Sequence, residues 1–214
     1  MSSRPEGYIP AAGHDWLLPL YDPLQRFVFR EKPMRSEILA QAKIGARSRV
    51  LDVGCGTGTQ AVLTKRAHPD AEVIGLDGDA KALAVAKRKI AREGVEVELD
   101  EGLATALPYA DARFDRVLSS LVFHHLEESD KRRAAAEILR VLAPGGFFLL
   151  ADFGAPRTWA ERALSRLLRH GGHVRLQLEG GMPALLRDAG FSRVEDVAQL
   201  SMGFARVWFW RATP

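Results

Sequence analysis

Short apolar segments and helix-forming segments alternate along the chain from Arg49 onward. An unbroken apolar run is typical of a strand that is covered on both faces, and Phe147–Ala151 has this pattern. We predict seven strands, at 50–53, 72–76, 95–99, 114–119, 147–151, 191–197 and 204–211. We predict helices at 21–31, 34–44, 59–68, 80–93, 130–142, 159–169 and 182–189, with Gly94 and the Pro-Gly-Gly at 144–146 as helix ends.

This alternation indicates an α/β fold in which helices flank a mainly parallel sheet, and ligands bind such sheets at the carboxyl ends of the strands. The length of 214 residues fits one domain. We divide that domain into an N-terminal helical extension (1–45), a core (46–153), an insert (154–181) and a C-terminal helix with two strands (182–214).

The composition narrows the class of protein. The single cysteine, Cys55, excludes an internal disulfide and a multi-cysteine metal site. No apolar run follows a basic head at the start, and no run approaches the roughly 20 residues of a spanning helix. We therefore expect a cytoplasmic protein without stable membrane insertion. The net charge of +3 comes from basic residues interleaved with acidic ones, which favours a solvated surface over nucleic-acid binding.

The strongest local signal is a glycine-rich turn, VLDVGCGTG at 50–58, between the first strand and the next helix. Alternate glycines let a backbone approach a ligand closely, and the following helix offers free N–H groups. A dinucleotide-binding pattern needs its third glycine at position 59, where this chain has Thr59. Asp52 would repel a pyrophosphate, whereas it suits the amino group of a methionine moiety.

A second acidic residue, Asp77, ends the second strand. A carboxylate at this place accepts hydrogen bonds from both ribose hydroxyls of an adenosine. The alternative is a helix N-cap, but Asp79 suits that role better. We therefore interpret Asp77 as a ribose ligand.

Four segments resemble, in order and at compatible spacing, the motifs of class I S-adenosylmethionine-dependent methyltransferases. They are VLDVGCGTG (50–58), GLDGD (75–79), ALPYADARFDRVLSSLVFHHL (106–126) and LRVLAPGGFFLLADF (139–153). The chain is most similar to the small-molecule branch that includes the C-methyltransferases of ubiquinone and menaquinone biosynthesis. This resemblance implies a Rossmann-like, seven-stranded, mostly parallel sheet with an antiparallel last strand. It also implies S-adenosylmethionine as cofactor and a small or lipid-like acceptor.

The resemblance assigns cofactor contacts to matching positions. The methionine part of the cofactor would lie among Asp52, Gly54, Gly56, Thr57 and Gly58. Asp77 would hold the ribose, with Gly78, Leu103 and Ala104 at the adenine and the backbone of Ser119 and Ser120 facing the sulfur. Related enzymes often have Asp-Ala where this chain has Leu103-Ala104, so here the adenine contacts would be apolar together with the Ala104 N–H.

The sequence gives weaker signals for the residues that bind the methyl acceptor. Methyl transfer mainly requires that the acceptor be positioned, and it needs a base only when the acceptor is protonated. His124 and His125 follow the fourth strand and are the candidate catalytic residues, with His125 favoured as pocket-lining. In the alternative interpretation, one histidine is a structural hydrogen-bonder and the other faces solvent. Cys55 is expected to be a buried small residue rather than a nucleophile.

Two further segments are candidates for covering the site. Related enzymes fold an N-terminal extension over the cofactor, and Tyr21 is the residue expected to touch it; simple packing at the sheet edge is the alternative. The helix at 159–169 has an apolar and a basic face, which fits a lid or an ordinary amphipathic helix. His170 and His173 have no acidic companion, so no metal site is expected.

Three other functions stay open. A macromolecule methyltransferase would have an Asn/Asp-Pro-Pro-Tyr-like turn or paired glutamates after the fourth strand, where this chain has Ser119-Ser120. The glycine spacing disfavours a nicotinamide oxidoreductase. A non-catalytic module that binds adenosyl ligands is supported by Leu103. The sequence leaves the acceptor and the oligomeric state undetermined.

Overall fold

A computed structural model gives the fold and describes residues 31–159, 161–162, 175–202 and 205–214. The strands are β1 (Arg49–Val53), β2 (Glu72–Asp77), β3 (Glu98–Glu101), β4 (Phe114–Ser120), β5 (Leu142–Phe153), β6 (Arg193–Ser201) and β7 (Arg206–Thr213). The helices within these ranges are α1 (Glu31–Ala42), α2 (Thr59–Ala67), α3 (Ala80–Glu93), α4 (Glu128–Val141), α5 (Arg175–Leu178) and α6 (Met182–Asp188). Within the same ranges, a 3-10 turn covers Phe123–His125.

The strands form one seven-stranded sheet in the order β3-β2-β1-β4-β5-β7-β6. Neighbours from β3 to β5 pair in parallel, and β7 pairs antiparallel with both β5 and β6. This confirms the predicted Rossmann-like, mostly parallel sheet with an antiparallel last strand. The chain moves outward from β1 to β3 and then returns to the other side of β1, so a crevice opens between the carboxyl ends of β1 and β4.

Helices bury apolar side chains on both faces of the sheet. Ile138 of α4 and Leu185 of α6 pack on one face, in the same cluster as Leu51 of β1. Ile38 of α1 and Ala61 of α2 belong to the cluster on the other face. Side chains alternate along a strand, so the central strands must be apolar on both sides, which is why they read as continuous apolar runs.

The predicted third strand begins three residues too early. Gly94 ends α3 in a left-handed conformation (φ +63°), and the Val95 N–H donates to Ile90 O at 3.5 Å as part of the same helix end. Val95 therefore belongs to the helix cap, and pairing with β2 starts at Glu98.

Pro144-Gly145-Gly146 does not separate a helix from a strand as predicted. α4 ends at Val141 and β5 starts at once, with Leu142 opposite Phe114. The register then shifts so that Phe147 pairs with Arg116, and the Pro-Gly-Gly forms an irregularity within the strand. β6 and β7 are likewise displaced by two residues from their predicted starts.

The predicted helix at 34–44 corresponds to α1, whose Met34, Ile38 and Ala42 are buried at a spacing of four residues. The predicted helix at 21–31 lies almost entirely outside the described residues, as does most of the one at 159–169. The proposed lid role of 1–45 and the insert role of 154–181 therefore stay predictions. None of the described helices is long and apolar enough to cross a membrane.

Candidate active site

The glycine-rich turn after β1 has three glycines in the left-handed region, Gly54, Gly56 and Gly58, with φ of +71°, +53° and +74°. A Cβ on Gly54 would lie 2.4 Å from Val122 Cγ2, and one on Gly58 would lie 2.9 Å from Ala86 Cβ. These two positions require glycine for packing as well as for conformation. A Cβ on Gly56 would meet no atom of the described residues within 4 Å, so the turn borders open space there.

Asp77 closes the turn from the end of β2. Its Oδ2 accepts a hydrogen bond from the Gly56 N–H at 2.8 Å, and its Oδ1 accepts one from the Asp79 N–H at 2.8 Å. Burial raises the pKa of Asp77, and bonds from the N–H groups of Asp79, Gly56 and Gly78 oppose that rise. Asp79 caps α3 by accepting from the Lys81 N–H at 2.9 Å, so the prediction that Asp79 is the N-cap is confirmed.

Asp52 is buried beneath the same turn, with 2 % of its surface exposed. Its Oδ2 has no hydrogen-bond partner among the residues that the structure describes. Burial raises the pKa of Asp52 to about 7; Arg35 lowers it and Asp77 adds to the rise. A buried carboxylate oxygen without a partner is costly, and a cationic ligand group would supply the missing interaction.

Two other predicted cofactor positions around the turn use their side chains within the protein. Ser119 is buried, and its Oγ donates to Val53 O at 3.0 Å, so only its backbone can face a ligand; Ser120 is partly exposed. Thr57 Oγ1 accepts from Lys89 Nζ at 3.0 Å, which ties the turn to α3. Cys55 is buried as expected, and burial raises the pKa of its thiol, which argues against a nucleophile.

The edge predicted for adenine has an exposed apolar residue. Leu103 keeps 37 % of its surface exposed, and its carbonyl accepts from the Ala106 N–H at 3.1 Å, with Ala104 half-buried between them. The Gly102 N–H donates to Asp77 O at 3.0 Å, so this segment is held next to Asp77. Asp100 accepts a hydrogen bond from the Tyr109 hydroxyl at 2.8 Å. It therefore does not replace the aspartate that related enzymes have at the position of Leu103.

Both candidate histidines lie on the 3-10 turn after β4. Leu121 adopts φ +56°, and its N–H donates to Ala151 O at 2.9 Å, which bends the chain into this turn. Val122 packs directly on Gly54, so the turn borders the glycine-rich loop. The rings of His124 and His125 are 4.0 Å apart between centroids, and Phe153 packs against His124.

Sequence reasoning missed two buried residues behind these histidines. Asp152 is fully buried at the carboxyl end of β5 and contacts the ring of His124 at 2.8 Å. Lys131, in α4, is 1 % exposed, and its Nζ donates to Leu126 O. Asp152 could have been found, because it follows an apolar strand in the way that Asp77 does. The burial of Lys131 could not have been predicted in this way, since Lys131 begins a Lys-Arg-Arg run that is typical of an exposed surface.

Tyr21, His170 and His173 lie outside the described residues. Within the described ranges, no cluster of three His, Cys, Asp or Glu side chains could hold a metal ion.

Comparisons with known proteins show which families and folds this chain resembles. Residues 50–146 match the methyltransferase domain family. The chain is 37 % identical over 142 residues to a demethylmenaquinone methyltransferase of Thermus thermophilus, covering 65 % of this chain and 64 % of the relative. It is 34 % identical over 153 residues to a demethylmenaquinone methyltransferase of Deinococcus radiodurans, covering 71 % and 63 %. The crystal structure of YcgJ from Bacillus subtilis superposes with a TM-score of 0.68 at 22 % identity, covering 83 % of this chain and 96 % of that one.

The chain is therefore similar to the class I S-adenosylmethionine-dependent methyltransferases in its matched domain, in its relatives and in its fold. It spans less than two thirds of the length of the two curated relatives described above.

Proposed function

We propose that this protein transfers the methyl group of S-adenosylmethionine to a small or lipid-like acceptor. The observation that carries the proposal is the open space above Gly56, whose N–H donates to the carboxylate of Asp77. Two relatives are named demethylmenaquinone methyltransferases, which supports a lipid-like acceptor.

The residues present fit the cofactor. The unpartnered Oδ2 of Asp52 suits an ammonium group, and the turn offers left-handed glycine backbone next to it. Asp77 accepts backbone bonds from Gly56, Gly78 and Asp79 and keeps lone-pair capacity for a ribose hydroxyl. The remaining cofactor contacts that we propose are Gly54, Thr57, Gly58, Gly78, Leu103, Ala104, Ser119, Ser120 and Tyr21.

When bound, S-adenosylmethionine supplies an electrophilic methyl group on a sulfonium. The protein's own contribution is to hold an acceptor atom in line with that methyl group and to exclude water. The crevice between the ends of β1 and β4 lies beside the histidine turn, since Val122 contacts Gly54. We therefore propose that His124 and His125 face the acceptor, where an imidazole can take a proton.

Calorimetry with S-adenosylmethionine and S-adenosylhomocysteine tests the cofactor part of this proposal. We expect micromolar binding by the intact chain, and a loss of at least tenfold in Asp77→Ala. Asp111→Ala, which removes an exposed carboxylate paired with Arg140, is the matched control and should bind normally. Absence of binding at millimolar cofactor would overturn the proposal.

A screen of quinols, phenols, thiols and amines for release of S-adenosylhomocysteine then tests the transfer. A non-catalytic adenosyl-binding module is the second candidate, because Leu103 stands where related enzymes have an aspartate. Tight binding of S-adenosylmethionine together with no release on any acceptor class would favour that module.

A further inference from the structure

His124 is held by a buried carboxylate through two different atoms. Its ring Nδ1 lies 2.8 Å from Asp152 Oδ1, and its backbone N–H donates to Asp152 Oδ2 at 3.1 Å. Asp152 also accepts from the Phe153 N–H at 2.7 Å, and it is fully buried. A carboxylate can only accept hydrogen bonds, so Nδ1 must carry the proton that is shared with Asp152. The lone pair of the neutral ring is then on Nε2.

The ring of His124 is also restrained on its faces. Phe153 packs edge-on against it at 4.8 Å between centroids, and His125 packs at 4.0 Å. The side chain of His124 retains 12 % exposure, so it is nearly enclosed but not sealed. An enclosed imidazole whose tautomer is fixed by a carboxylate is the arrangement that general-base catalysis requires.

Lys131 supports this pair from behind. Its Nζ donates to Leu126 O, the residue that ends the 3-10 turn, so the lysine fixes the segment that carries His124. Burial lowers the pKa of Lys131, whereas Asp152, Glu128 and Glu127 favour its charged form. A buried carboxylate is tolerated when a buried cation lies nearby, and Lys131 is such a cation for Asp152.

We propose that His124 is the base that removes a proton from the acceptor, with Asp152 and Lys131 as positioning residues. The acceptor would then be a compound with an ionisable O–H, such as a phenol, an enol or a quinol, rather than an amine or a thioether. This inference rests on the proposed methyl transfer and adds the acceptor class to it.

The proposed step balances without another reactant. The acceptor O–H bond breaks, and its proton goes to Nε2 of His124. The electron pair left on the acceptor forms the bond to the methyl carbon, and the carbon–sulfur bond breaks with its pair on sulfur. The imidazolium then returns its proton to solvent.

His124 fits this role better than His125. The His125 N–H donates to Val122 O at 3.0 Å within the turn, and its ring packs on that of His124. Among the described residues, Asp152 hydrogen-bonds the ring of His124 and not that of His125. The carboxylate of Asp152 therefore fixes the tautomer of His124 and stabilises its imidazolium.

Nitrogen-15 NMR of the imidazoles tests the positioning without any need for turnover. In the intact chain with S-adenosylhomocysteine, we expect the His124 ring to carry a proton at Nδ1, toward Asp152. In Lys131→Met, loss of the bond to Leu126 O should let the ring move away from Asp152 and populate the Nε2-protonated tautomer, and Lys131→Arg should restore the Nδ1 form. A His124 ring protonated at Nε2 in the intact chain would overturn the assignment even if every variant failed to fold.

Turnover tests the acceptor class. A naphthoquinol, a phenol, an alkyl thiol and a primary amine are offered separately, and we expect release of S-adenosylhomocysteine with the hydroxylated probes. His124→Gln should lower that release about a hundredfold or more, with cofactor affinity unchanged within twofold. His68→Gln, at the C-terminal end of α2, is the matched histidine control. Release with the amine or thiol alone would overturn the inference and leave the proposed methyl transfer intact, whereas absence of cofactor binding would remove both.

Discussion

Substitution of Gly56 by alanine should affect the stability of the fold and the affinity for the cofactor to different extents, so the two effects can be measured separately. Gly56 has φ +53°, so an alanine there costs about 1–2 kcal/mol of backbone strain. The new Cβ contacts no described atom within 4 Å, so no packing cost adds to the strain. For a chain of this length, the melting temperature should fall by roughly 2–8 °C.

The effect on binding should be larger than the effect on stability. The added methyl group enters the space that we assign to the cofactor, and overpacking of that kind costs about 1–3 kcal/mol. Affinity for S-adenosylhomocysteine should therefore fall roughly tenfold to a hundredfold by calorimetry.

Gly94 supplies the matched control for this substitution. It has φ +63°, its Cβ would also meet no described atom within 4 Å, and it lies at the end of α3, away from the turn. Gly94→Ala should give a similar loss of melting temperature with unchanged affinity. If Gly56→Ala bound the ligand as tightly as Gly94→Ala does, the open space at Gly56 would not be the cofactor site.

Three more predictions follow from individual side chains. Because burial raises the pKa of Asp52 to about 7, affinity for the ammonium-bearing S-adenosylhomocysteine should rise about tenfold between pH 6 and pH 8. Leu103→Asp adds the carboxylate found in related enzymes at an exposed position, and should tighten calorimetric binding about threefold to tenfold at little cost in stability. Burial raises the pKa of Glu161, but bonds from Arg206 and two backbone N–H groups lower it to about 2, so Glu161→Gln should reduce the free energy of unfolding at neutral pH by about 3 kcal/mol.

Each of these three predictions can be contradicted by a specific experimental result. Asp52→Asn should remove the pH dependence of binding. If the variant kept the same dependence of affinity on pH as the parent, Asp52 would not be the residue that binds the ammonium group. If Leu103→Asp bound the cofactor with unaltered affinity, the adenine would not bind next to residue 103. The pKa of Glu161 is below its ordinary value of 4.5, so its stabilisation is present at neutral pH and is lost as the pH falls toward 2. Equal denaturant midpoints for Glu161→Gln and the parent at neutral pH would contradict the role of its pairing with Arg206.

Local signals in the sequence predicted the elements whose ends they determine. α3 has its predicted bounds, because Asp79 caps its start and Gly94 caps its end within the same segment. The glycine turn was predictable for the same reason. The start of β3 was not, because Val95 can extend a strand or complete a helix cap, and only the pairing with β2 decides between them.

Contacts between distant segments limited the prediction of the site. The sequence placed two histidines after β4, but it could not show that Asp152, 28 residues further on, binds the first of them. Lys131 reads as a surface residue beside two arginines, and its burial depends on how α4 packs. The left-handed Leu121 also has no sequence signal, since positive φ is rare for leucine.

A crystal structure of the complex with S-adenosylhomocysteine tests the central claim most directly. We predict that the ribose hydroxyls bond to the carboxylate of Asp77 and that the ammonium group lies beside Asp52, with the amino-acid tail along the glycine turn. An adenosyl ligand bound elsewhere, with the turn closed by the protein's own side chains, would contradict it.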